Sequence, residues 1–151
     1  MKRPITLWIL VFWLVFLALG GFYGGIAMLL DPTGGALQMA EVLPSLYVPN
    51  YILPGLFLFF IMGLYPLLLV YALVKRPHWS AVESFMSHFK YYWAWIGTVV
   101  LGIVLVVWLI VQGILIGFNW TIQYVTAITG LCILIFAFAP PVERFYRKDH
   151  L

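Results

Sequence analysis

Four long runs of the chain, about residues 5–30, 51–74, 91–117 and 121–139, contain no Asp, Glu, Lys, Arg or His. A helix of ~20 residues crosses the ~30 Å hydrocarbon core of a bilayer. Lipid offers the backbone no hydrogen-bond partners, so a spanning segment must satisfy its amides internally. Continuous apolar runs of this length therefore predict an all-α membrane protein, with four transmembrane helices in one bundle and a single domain over residues 1–151. Composition removes the soluble alternative. The sequence is 65% hydrophobic and 9% charged, against roughly 45–50% and 25% in soluble domains, too few polar residues to cover a water-exposed surface.

Charge placement predicts the orientation. The eight Lys and Arg lie before the first run, between the second and third, or after the fourth. By the positive-inside rule both termini and the 75–90 connection face the cytoplasm of a cell (inner) membrane. The net charge of +3 belongs to small clusters beside the spans that touch lipid headgroups, and implies no nucleic-acid partner. A basic start before an apolar run also describes a signal peptide with a cleavage site near Ala18-Leu19-Gly20. The run outlasts a signal core of about 7–15 residues, so a retained span is expected.

Residues 31–50 form an outer cap in this reading. Asp31, Pro32 and Gly34 suit positions one, two and four of a type I turn. Residues 36–43 have the pattern of about two helical turns, ended by Pro44. Asp31 and Glu41 are the fixed charges of the cap, and Tyr47 suits the headgroup layer. On the basic side, Ser80 and Glu83 have capping-box spacing, heading an interfacial helix over 81–90. His78, His88 and Glu83 lack the spacing of a tight metal site. Pro140-Pro141 ends the last span, leaving the basic tail VERFYRKDHL.

Within the spans the informative residues are small or neutral. Gly20, Gly21, Gly24 and Gly25 make two overlapping GxxxG pairs, and Gly113 and Gly117 a third; such pairs let helix backbones approach closely in lipid. Pro66 predicts a kink near residues 62–66. Gln112, Gln123, Thr126 and Thr129 are the candidate lining of any polar path. The single cysteine, Cys132, reads as a small apolar filler.

The segments LDPTGG (30–35), PGLFLF (54–59) and MGLYPL (62–67) resemble a pattern in small four-span prokaryotic membrane proteins of unassigned function. The resemblance covers about residues 20–70. It implies the four-span fold and carries no activity or site residue.

No carboxylate, axial histidine, nucleophile–base pair or phosphate loop stands out, so neither a catalytic site nor a cofactor is expected. Three functions remain. The first is a non-enzymatic accessory subunit or self-associating scaffold acting by helix packing, partnered by membrane lipids and by its own copies or another membrane protein. The second is an oligomeric pore or uncoupled transporter for a neutral solute. The third is a lipid- or quinone-binding protein.

Overall fold

The computed structural model describes residues 2–150; Met1 and Leu151, the last residue of the basic tail, lie outside the described residues. The fold is all-helical. Helix α1 (Ile5–Leu30) is followed by two 3₁₀ turns, Gly35–Leu37 and Ala40–Leu46. The second long helix is composite, with α2 (Ile52–Phe57), a π-helical stretch Leu58–Leu64 and α3 (Tyr65–Lys75). Short α4 (Ser80–Phe85) precedes α5 (Trp93–Ile116), α6 (Thr121–Ala137) and α7 (Pro140–Tyr146). Three helices, Ile5–Leu30, Ile52–Lys75 and Trp93–Ile116, are long and apolar enough to cross a membrane. A fourth crossing is reached if α6 and α7, bent by 63° from each other, count as one span.

The helix ends follow local chemistry. Asp31 caps α1 through its N–H to Ala27 O, and Gly34 N–H then bonds Asp31 O at 3.1 Å, the bond of a β-turn. The π-helical stretch has its cause at Pro66. Proline has no N–H for the carbonyl four residues earlier, and the preceding turn widens so that Tyr65 N–H reaches Phe60 O.

α1 packs against the whole composite helix and against α6, while α5 packs against α3 and α6. Leu7, Leu10, Leu14, Leu69, Leu73, Leu101, Leu105 and Ile133 are fully enclosed between them. Glycine sets the closest approach. A Cβ at Gly21 would strike the Met62 backbone, and one at Gly25 would lie 2.7 Å from Phe59 N. Across α5 and α6 the same role falls to Gly102, under the Leu134 side chain, and Gly130, 3.3 Å from Leu105 Cβ.

Several local expectations are corrected. Residues 36–43 form no α-helix, and Pro44 lies inside the second 3₁₀ turn instead of ending a helix, because its ring fits the φ of a 3₁₀ turn as well as an α one. The interfacial helix covers Ser80–Phe85, not 81–90, and Trp79 takes the cap position. Ser80 is then already helical, and Glu83 turns to His78 at 3.1 Å. α6 does end at Ala137, just before Pro140-Pro141, but the tail beyond is helical: the two prolines occupy the first turn of α7, where their missing N–H groups would have no partner anyway.

Candidate functional site

The richest assembly of polar chemistry lies where α3 ends, α5 begins and α7 returns. Arg76 ends α3 in the left-handed conformation at φ 51°. That turn brings its guanidinium over the Phe145 ring at 3.9 Å and the Tyr146 ring at 4.8 Å. Its Nη2 donates to Phe145 O at 2.8 Å, while Nε is buried with no partner among the described residues. A buried donor left so costs about 1–3 kcal/mol, offset in part by the cation–π contacts.

α7 is fastened from three sides. Tyr146 is fully buried and its hydroxyl donates to Leu73 O at 2.6 Å. Tyr92 N–H donates to Tyr146 O at 2.9 Å, and Lys148 N–H to Lys90 O at 2.7 Å. The third fastening is ionic. Glu143 accepts from the Tyr91 hydroxyl and from Arg147 Nη2, each at 2.7 Å. The Tyr91 hydroxyl first, and Arg147 second, hold the Glu143 carboxyl below the ordinary glutamate value of 4.5.

Beside this junction is a cleft of about 350 Å³. Arg76, Tyr92 and Trp93 form its inner wall; His78, Glu83, Met86 and Lys148 line the rest. Trp79 stacks on Trp93 at 5.1 Å, and Lys148 Nζ donates to Met86 O at 3.0 Å. A second, wholly different groove runs along the π-helical stretch and the start of α3, walled by Phe60, Ile61, Leu64 and Leu67. Its one polar group, the Tyr65 hydroxyl, donates to Gly97 O.

The residues singled out from sequence fall elsewhere. Of the glycines in α1, Gly21 and Gly25 are buried on the composite helix, Gly24 meets only the Leu58 side chain, and Gly20 has nothing within 4 Å of its would-be Cβ. Gly113 and Gly117 form no helix seam: the Phe118 ring folds onto Gly113, and Gly117 ends α5 at φ 72°. Gln123 accepts from Trp120 N–H and donates to Gly117 O, so it closes the α5–α6 turn. Thr126 and Thr129 donate to the carbonyls four residues back, Ile122 O and Val125 O. All three side chains bond within their own helix or turn, and Gln112, half-buried on α5, makes no bond to them. Pro66 is buried at the start of α3.

Asp31 holds its turn. Its carboxylate accepts from the Thr33 hydroxyl and from Ala36 N–H at 2.9 Å, and these bonds hold its pKa below the ordinary value. Glu41 is exposed, and Tyr47 stands 89% exposed. Among the described residues no group of three or more His, Cys, Asp or Glu could hold a metal ion. His88 pairs with Ser87, away from Glu83.

In the sequence, Arg76 reads only as one of the basic residues that set orientation, Tyr92 and Trp93 as part of an apolar run, and Glu143, Tyr146 and Lys148 as tail residues. Two signals pointed to them. Glu143 and Arg147 are four apart, a helical ion-pair spacing, and Phe145-Tyr146 puts two large rings in a nominally polar tail.

The fold and site define a helical membrane-spanning protein with three or four crossings and a basic, aromatic-walled junction at one end. Comparison with family models, with curated proteins and with solved structures returns no match.

Proposed function

We propose that the chain is a non-enzymatic protein of the cell (inner) membrane, a four-span bundle that self-associates as a scaffold or accessory subunit. Both termini and the 76–92 connection are cytoplasmic, and residues 31–50 form an outer cap over the helix ends. The 3₁₀ turns support the cap, since Gly35–Leu37 meets α1 and Ala40–Leu46 meets α5.

One observation carries self-association. Of the two overlapping GxxxG pairs in α1, Gly21 and Gly25 are enclosed within the chain, while Gly20 stays open and Gly24 touches a single flexible side chain. The open pair sits among exposed Phe16, Leu19, Tyr23 and Ile26, and a four-residue glycine spacing on a lipid-facing helix suits a close crossing with another copy. The pore reading has no comparable observation in its favour, since the hydroxyls of Thr126 and Thr129 donate within their own helix and Gln123 bonds within its own turn.

Native mass in mild detergent tests this. The wild type is expected as an oligomer. Gly20→Leu is expected as a monomer with unchanged helix content, whereas Gly21→Leu lowers the yield of folded protein. A monomeric wild type, or a Gly20→Leu variant of wild-type mass, would contradict it.

A further inference from the structure

The cleft at the α3–α5–α7 junction lies apart from the open glycine face, and its walls are of two kinds. Met86 and the rings of Tyr92 and Trp93 make most of it apolar, while Arg76 and Lys148 bring two cations. Its one carboxylate, Glu83, already has His78 at 3.1 Å. Both cations keep unused donors. The Arg76 guanidinium has five N–H donors; Nη2 gives one to Phe145 O and Nε is enclosed, which leaves the other amino N–H groups for a ligand. The Lys148 ammonium carries three N–H groups, and its bond to Met86 O uses one.

A small inorganic anion needs a cradle of polar donors on most sides. An apolar wall with cations along one part of it suits an amphiphile instead, with a charged head and a hydrocarbon body. The height of the cleft agrees. Arg76 ends one apolar helix and Trp93 opens the next, so the cleft lies where the helices leave hydrocarbon and headgroups begin. Basic pockets between membrane helices bind anionic headgroups through this combination.

The geometry points to a binding site for an anionic phospholipid, with its phosphate between Arg76 and Lys148 and its glycerol and upper acyl chain along Met86 and Trp93. Arg76 is held ready for a phosphate, because the rings of Phe145 and Tyr146 and the Phe145 carbonyl fix its guanidinium plane. A guanidinium fixed in this way loses little freedom when the phosphate arrives. Glu83, in the same lining, opposes the ligand's negative charge.

The full chain, reconstituted in phosphatidylcholine nanodiscs with or without phosphatidylglycerol, can be released in a mass spectrometer and its retained lipid counted. Both lipids carry the phosphate, but the choline of phosphatidylcholine adds a cation beside Arg76 and Lys148, so phosphatidylglycerol is expected to be retained over phosphatidylcholine by about tenfold. Lys148→Gln should reduce that preference several-fold, and Glu83→Gln should raise it, an increase that a purely structural role would not produce. Lys75→Gln, which removes an exposed cation at the same end, should leave it unchanged. Equal retention of the two lipids overturns the proposal. So does an equal effect of Lys75→Gln and Lys148→Gln, which would mean general surface charge, and so does displacement of the lipid by millimolar inorganic phosphate, which would mean a free-anion site.

Discussion

At the scale of single residues, polar side chains have unequal weight because their burial and their partners differ. Thr126 donates to the carbonyl of its own helix one turn back. Removing that bond frees a carbonyl that already has a helical partner, so Thr126→Val should change stability by less than about 0.5 kcal/mol. The Tyr146 hydroxyl instead joins segments 73 residues apart, in a buried site. Tyr146→Phe should lower stability by about 1 kcal/mol, the net value of a typical hydrogen bond. Unfolding both variants in mixed detergent micelles checks the contrast, and equal effects would argue against it. The glycines make the same point about legibility. Their presence in α1 was plain from sequence, but which pair faces inward was not. A run apolar all round carries almost no rotational signal, so the facing of Gly21 and Gly25 toward Met62 and Phe59 emerges only from packing. At Gly113 and Gly117 the pattern misled, because a four-residue spacing beside a helix end serves a turn equally well.

At the scale of elements, the composite second helix and α7 depart most from what the sequence predicts. Pro66 was legible as a disturbance. That the preceding turn takes a π-helical form, with Met62 and Gly63 pressed against Gly21 and Phe22 of α1, is visible only in the packing. α7 was hidden because Pro140-Pro141 reads as a terminator, yet the same pair can open a helix. Its hold on the bundle has an electrostatic part that pH exposes. The Glu143 carboxyl titrates below 4.5 in the folded chain. A depressed carboxylate contributes stability that is present above its unfolded value and is lost as pH falls through the folded value. Protection of the Val142–Tyr146 amides, relative to an unstructured chain at the same pH, should therefore fall as pH drops below about 4.5, at a pH where α1 is unchanged. Tyr91→Phe removes the largest cause of the depression, so it should shrink this acid loss of protection. A loss as large as in the wild type would assign the shift to Arg147 alone.

At the scale of the whole molecule, apolar runs without charge were enough to foresee an all-helical membrane protein, because lipid leaves the backbone so few choices. The junction of α3, α5 and α7 was not foreseen, since it depends on residues 52 to 73 positions apart meeting through Tyr91, Arg76 and Tyr146. Function at that junction depends on which leaflet it meets. An anionic-lipid cleft walled by Arg76 and Lys148 suits the cytoplasmic leaflet, the side on which the proposed orientation puts it. Impermeant thiol labelling of single cysteines at Thr33 and at Ser87, in a Cys132→Ser background, tests this most directly. Both positions are exposed. In intact cells the cysteine at Thr33 should label and the one at Ser87 should not; in inside-out vesicles the pattern should reverse. Labelling of both from the same side would contradict the four-span topology, and a reversed pattern would place the basic junction on the wrong leaflet.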